Sequence, residues 1–276
     1  MTDQPLLQVQ DLRVAYGAVP VVRGVSFTLG REKLAVVGES GSGKTTVGRA
    51  LLRLLPRQAH ITAERLSFDG RDLLQAGEAE MEALRGRQMS MIMQDPKYSL
   101  NPVMSIGRQI GEAVRRGAAM TRAECQEQVE ALLSRVHIRE PRRVAGQYPH
   151  ELSGGMGQRV MIAMMLAQRP RLLIADEPTS ALDVSVRQEV LNLLDELVAE
   201  QGLSLLFISH DLNLVGRFCD RVLVMYAGRV VETLKASELH QAQHPYTQGL
   251  MASLPTLSRR RAVLPVLQRD AAWGAA

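Results

Sequence analysis

The chain has 276 residues, 46% hydrophobic, 22% charged and 4% aromatic, which is ordinary globular composition and excludes a fibrous, disordered or minimal binding-module architecture. Its most apolar uninterrupted run, residues 160–167 between Arg159 and Arg169, falls far short of the roughly 20 residues that cross a bilayer, and residues 1–10 lack a secretory signal pattern, so a cytosolic chain is expected. Cys125 and Cys219 form no CxxC or Cys/His cluster, which argues against a disulfide framework or a zinc or iron–sulfur site, and the net charge of +4 is scattered apart from Arg259 to Arg261.

Residues 6–14 and 21–29 alternate apolar and polar side chains around a Gly-Ala interruption after Tyr16, which predicts two antiparallel strands. Residues 33–37 form a short apolar run that leads into a glycine-rich loop and a helical pattern over 46–55. A further strand over 89–93 ends at Gln94-Asp95-Pro96. Helical patterns follow over 106–116, over a stretch opened by the capping box Thr121-x-x-Glu124 and running to about 136, and from 153 through 165. Residues 171–175 and 205–208 are compact apolar runs of the kind that form buried parallel strands. Residues 222–226 and 229–232 flank Ala227-Gly228 as a terminal hairpin, and beyond about 237 the periodicity is weak.

The chemistry begins at Gly38-Glu39-Ser40-Gly41-Ser42-Gly43-Lys44-Thr45, a GxxxxGK[ST] sequence between the predicted strand and helix. Its glycines let successive backbone amides wrap a polyphosphate at a helix N-terminus; Lys44 is placed to reach the β- and γ-phosphates and Thr45 to offer its hydroxyl to Mg²⁺. A second carboxylate is needed for the metal, and the strand ending at residue 175 delivers Asp176. Glu177 follows at once, placed to polarise an attacking water as general base. A second anion-binding feature lies at Leu152-Ser153-Gly154-Gly155-Met156-Gly157-Gln158-Arg159, where a hydroxyl and two bare amides open a helix. Read without ligand, Ser153 is simply an N-cap. One chain seldom needs two such cradles, which raises the question of whether the second serves another subunit's nucleotide.

The GxxxxGKT loop, the LSGG segment at 152–155, LLIADEPTSALD at 172–183 and FISHD at 207–211 together resemble the nucleotide-binding subunits of ABC transporters, in the family's order and over nearly the whole chain. The resemblance implies an α/β fold: a RecA-like P-loop NTPase core with an N-terminal antiparallel β-subdomain and an inserted α-helical subdomain at about 96–165. The ATPase domain would span 1–236 and a short C-terminal tail 237–276. It further implies ATP and Mg²⁺ as cofactors and two subunits sandwiching two ATPs, with Ser153, Gly154 and Gly155 contacting the γ-phosphate on the partner's P-loop. By the same resemblance Tyr16 stacks on adenine, and Thr46 joins the P-loop residues at the nucleotide. Gln94 senses Mg²⁺ and the attacking water, Asp183 organises the dimer interface, and His210 holds the γ-phosphate. Each of these has a plainer structural alternative: a strand aromatic for Tyr16, a strand-end residue for Gln94, a helix cap for Asp183 and a structural histidine for His210.

Gln94-Asp95-Pro96 with Ser99-Leu100-Asn101-Pro102, Tyr148-Pro149-His150-Glu151 and His244-Pro245-Tyr246-Thr247 resemble the importer branch for oligopeptides, dipeptides and nickel. Met156 resembles one of that branch's two paralogous ATPases, which implies a heterodimer with a second ATPase. Two permease subunits, docked by the helical insert, and an extracytoplasmic substrate-binding protein complete the expected assembly, with no nucleic acid and a peripheral position on the cytoplasmic membrane face. Many peptide-importing relatives carry a Cys-rich tail; no cysteine follows Cys219 here, which moves the expectation toward nickel or a metal chelate. Gly157 stands where relatives often carry a basic or polar residue, and is expected to alter an interface contact. The competing reading, a soluble ABC ATPase acting on nucleic acid or ribosomes, draws mild support from a pI of about 9.3. It lacks the coiled-coil insert, zinc cysteines or tandem ATPase domains such proteins carry.

Overall fold

The computed structural model describes residues 4–94, 99–117, 119–180, 182–254, 270 and 273. Its contacts divide the chain into two units, residues 1–76 with 206–276, and residues 77–205.

The first unit opens on β1 (Leu7–Tyr16) and β2 (Val19–Leu29), paired antiparallel with Tyr16 opposite Val19. Leu7, Val9, Leu12 and Val14 are buried, and the phase of this alternation shifts between Val9 and Leu12. A register irregularity lies at that point, and Asp11 sits in it with a φ of 49°. The bulge keeps the apolar side chains on one face where strict alternation would turn them out. β3 (Lys33–Val37) is buried from Leu34 onward and leads through the glycine-rich loop into α1 (Lys44–Leu51). The helix stops short of the expected residue 55, because Leu52 closes it and Arg53 turns left-handed at φ 51°. β4 (Ala59–Thr62) pairs with the second half of β1, β5 (Arg65–Phe68) with its first half, and β6 (Arg71–Asp72) with β5. These three strands had no sequence signal, since none exceeds four residues and β4 buries no side chain fully.

The second unit contains α2 (Glu78–Leu84), β7 (Met89–Ile92), α3 (Ile106–Arg115), α4 (Arg122–Arg135) and α5 (Pro141–Gly146). It continues through a 3₁₀ turn (Pro149–Glu151), α6 (Gly154–Leu166), β8 (Leu172–Asp176) and α7 (Val184–Gln201). The capping box at α4 is formed in both directions: Glu124 N–H donates to Thr121 Oγ1 at 3.3 Å, and Thr121 N–H donates to Glu124 Oε2 at 2.7 Å. β7 and β8 run parallel, Met89 beside Leu172, and every residue in both is buried, as strands covered on both faces must be. Gly107 lets α3 approach α5 closely, for a Cβ there would stand 2.8 Å from Ala145 O. α2 and α5, of seven and six residues, are too short to show a helical period in the sequence.

β9 (Ser204–Ile208) begins in the second unit, where Ser204 N–H donates to Arg171 O at 2.9 Å. It ends in the first, where Ser209 N–H donates to Val36 O at 3.1 Å. α8 (Leu212–Phe218) follows, then β10 (Arg221–Tyr226), parallel to β3, and β11 (Arg229–Lys235), which returns antiparallel around Ala227 and Gly228 as expected. The strand order is β11-β10-β3-β9 in the first unit and β9-β8-β7 in the second. The stretch beyond 237 is more ordered than its weak periodicity suggests. A 3₁₀ segment (Ala236–Gln241) leads to α9 (Pro245–Ala252), in which Tyr246 and Thr247 are fully buried. Eight residues make just over two turns, too few for a repeat to show. No helix among the described residues is long and apolar enough to cross a membrane.

Candidate nucleotide-binding site

The glycine-rich loop owes its path to three residues without a side chain. Gly38 has φ 149°, and a Cβ on it would lie 2.1 Å from Met225 O. Gly41 has φ 83°, with nothing within 4 Å of where its Cβ would be. Gly43, at φ 98°, is the left-handed N-cap of α1, and no side chain caps that helix. The positive end of that helix favours an anion. Lys44 is only 6% exposed, and its ammonium donates to Gly38 O and Glu39 O, each at 2.8 Å. Ser42 is buried too, while Ser40 is exposed, and Thr45 and Thr46 are half-buried at the helix start. The cradle thus offers a cation and backbone donors, the set a polyphosphate requires.

Two other predicted residues lie in the same unit. Tyr16 is half-buried at the end of β1, opposite Val19 and Ala59, so it is a strand aromatic with part of its ring accessible. His210 is exposed just after β9, and its neighbour Asp211 caps α8 by accepting from Leu214 N–H at 3.0 Å.

The acidic residues stand in the second unit. β8 ends on Asp176, 3% exposed. Glu177 follows in a left-handed conformation, φ 47°, which an L side chain adopts at a cost of about 1–2 kcal/mol and which ends the strand sharply. Ser180 holds that turn, its N–H and hydroxyl both donating to Glu177 O at 3.3 and 3.1 Å. Gln94 is exposed beyond β7, and its amide donates to Glu177 Oε2 at 3.4 Å; Asp95 and Pro96 lie outside the described residues. Gln94 is thus a strand-end residue whose amide reaches Glu177. Among the described residues no group of three or more His, Cys, Asp and Glu is assembled to hold a metal. Mg²⁺ needs no such cage, since it binds through substrate phosphates and one or two protein oxygens.

Ser153 caps α6, accepting from Met156 N–H at 3.3 Å, and Asp183 caps α7, accepting from Val186 N–H at 3.0 Å. The Val186 amide, seconded by the Ser185 hydroxyl, holds the Asp183 carboxyl below the usual range. Gly154 and Gly155 differ in what they require. Nothing lies near where a Cβ on Gly154 would be, whereas one on Gly155 would meet Val186 Cγ1 at 2.4 Å. Gly157, expected at an interface, is buried within α6. A cavity of about 390 Å³ opens beside Ser153 and Gly155, walled in part by Arg139, Arg143 and Arg159. One contact lay beyond sequence reasoning: Glu39 N–H donates to the hydroxyl of Tyr246, 207 residues away. Only the HPYT stretch around that tyrosine hinted that the residue mattered.

These features are those of an ATP-binding cassette. A family model described as "ABC transporter" matches residues 22–180, more than half of the chain, and the chain belongs to that family. The oligopeptide transport ATP-binding protein OppD of Bacillus subtilis (strain 168) is 45% identical over 259 residues, covering 91% of this chain and 72% of that protein. The dipeptide transport ATP-binding protein DppD of the same organism is 43% identical, covering 95% and 80%. Among solved structures, cbiO1 from Clostridium perfringens, part of the ABC transporter complex cbiONQ, superposes with a TM-score of 0.75 at 26% identity, covering 86% of this chain and 91% of that one. The fold is the P-loop NTPase fold of these cassettes, and the chain is an ATPase of the transport-coupled kind, with ATP and Mg²⁺ as its cofactors.

Proposed function

We propose that this chain energises import of short peptides across a membrane, working from the cytoplasmic face with a second, paralogous ATPase subunit. Two permease subunits would form the pathway, docked by the helical insert at about 96–165 of the 1–236 ATPase domain, and an extracytoplasmic binding protein would deliver cargo. The peptide assignment is supported by the names of the relatives, OppD and DppD, which outweigh the expectation of nickel.

The observation that carries the hydrolytic reading is the Gln94 amide on the Glu177 carboxylate, next in sequence to buried Asp176. In this reading Lys44, still held on the carbonyls of Gly38 and Glu39, reaches the β- and γ-phosphates, while loop amides between Gly38 and Thr46, that of Glu39 excepted, take phosphate oxygens and Tyr16 stacks on adenine. Mg²⁺, when bound, neutralises charge on the β- and γ-phosphate oxygens, and Thr45, Asp176 and Gln94 are the residues that would hold it. Glu177 accepts a proton from water as the water oxygen bonds to the γ-phosphorus and the bond to ADP breaks. His210 steadies the γ-phosphate. Ser153, Gly154 and Gly155 contact the γ-phosphate bound by the partner subunit, and Asp183 shapes that interface, so ATP closes the pair and hydrolysis reopens it.

Uptake of labelled dipeptide and of labelled nickel in a strain lacking this chain tests the proposal. Dipeptide uptake should vanish, returning with the wild-type chain and not with Lys44→Ala. Dipeptide uptake that persists while nickel uptake is lost overturns the cargo, and full ATP turnover by the Lys44→Ala chain overturns the site.

A further inference from the structure

We infer that Tyr246 is a positioning residue for Lys44, acting through the single peptide unit that joins Gly38 to Glu39. The inference rests on the reading that Lys44 binds the phosphates of ATP. That peptide unit is held at both ends. Its N–H, from Glu39, donates to Tyr246 Oη at 3.0 Å, and its carbonyl, from Gly38, accepts from Lys44 Nζ at 2.8 Å. The peptide is trans, so the N–H and C=O point in opposite directions across one plane, and a group that fixes one end aims the other. Left to itself the unit would be poorly fixed, because Gly38 carries no Cβ to restrict rotation beside it. Tyr246 supplies the restriction.

The phenol is itself fixed. Its ring is fully buried, 4.6 Å from the ring centre of Tyr226 and 5.9 Å from that of Trp273. His244 caps α9 by accepting from Tyr246 N–H at 3.1 Å, and Glu232 on β11 receives the amides of Gln243 at 2.7 Å and His244 at 3.3 Å. Pro245 starts the helix with its φ already set. The α9 segment therefore does more than cover the sheet: it presents one hydroxyl to one amide of the nucleotide loop. Without that hydroxyl the part-buried Glu39 N–H loses this acceptor, the Gly38 carbonyl is released from its direction, and one of the two carbonyls that hold Lys44 is no longer fixed.

The test is Tyr246→Phe in the full chain, which keeps the ring and removes only the hydroxyl, with Tyr226→Phe as the control inside the same aromatic cluster. Lys44 meets phosphate in the ground state and the transition state alike, so the variant should raise the KM and Kd for ATP about five-fold with kcat little changed. Tyr226→Phe should leave both constants as they are. In a Lys44→Ala background Tyr246→Phe should add nothing further. An unchanged Kd in Tyr246→Phe, or an undiminished effect in the Lys44→Ala background, overturns the inference. Lys44→Ala alone should weaken ATP binding to a Kd that is still measurable, and an unchanged Kd in that variant instead overturns the phosphate reading of Lys44. In the wild-type chain, hydrogen exchange gives an answer that needs no variant: the Glu39 amide should be protected, and a freely exchanging Glu39 amide overturns the inference as well.

Discussion

Gly155 and Val186 touch so closely that a single methyl group on the glycine would stand 2.4 Å from the valine Cγ1. The contact joins the first turn of α6 to the first turn of α7, the two helix starts capped by Ser153 and Asp183. Gly155→Ala should therefore lower stability by about 1–3 kcal/mol through overpacking, and Val186→Ala in the same chain should restore most of it. Thermal unfolding of the single and double variants checks this. Gly154→Ala, with open space around it, should leave the melting temperature nearly unchanged while weakening ATP-driven association of subunits.

The base proposed at Glu177 stands on an unfavourable backbone. Glu177→Gln removes the base and keeps the left-handed φ, so ATP binding should persist while turnover falls by about 10²-fold or more. Glu177→Gly should be equally inactive yet at least as stable as Glu177→Gln, because glycine occupies that conformation freely. Turnover and melting temperature measured on both variants separate the two properties.

Asp183 offers a test by pH. The Val186 amide and the Ser185 hydroxyl favour its ionised form, so its folded pKa lies below the unfolded one. The stability this contributes is present above the unfolded pKa and is lost as pH falls through the folded value. Asp183→Asn caps a helix equally well and should match the wild-type melting temperature at neutral pH with less loss toward acid. Asp183→Ala should melt lower at both. If Asp183→Asn also weakens subunit association, the charge, rather than the cap, serves the interface.

Cys219 is buried, and burial pushes its thiol up to about 12, against a smaller opposing pull from Lys33. At pH 8 it should stay unlabelled by a thiol reagent in the folded chain and react on unfolding. Rapid labelling of the native protein would show that the β10 entry opens.

Where a motif or a long period existed, sequence and structure agree. β3 spans the expected residues, the Thr121 box caps α4 in both directions, and the hairpin at Ala227-Gly228 is present. Signals failed where the element was short or its cause was distant. β4 to β6 are held by pairing with β1 and β5, and four residues of alternation do not rise above chance. Ser153 and Asp183 are helix caps in this chain, and the composite-site roles proposed for them would involve a second subunit. Tyr246 could not be placed, because no local pattern states that a phenol will meet an amide 207 residues earlier.

That separation sets an order of events during synthesis. The nucleotide loop leaves the ribosome early, but Met225, Gly228 and Tyr246, which close against it, are added more than 180 residues after Gly38. Until they emerge, the Glu39 amide has no phenol to meet and the loop lacks its neighbouring strand β10. The long loop closure falls late, as non-local contacts require. A nascent chain carrying an intact GxxxxGKT sequence is thus still an immature binder of ATP, and nucleotide affinity reports that residues 206–252 have arrived and folded back.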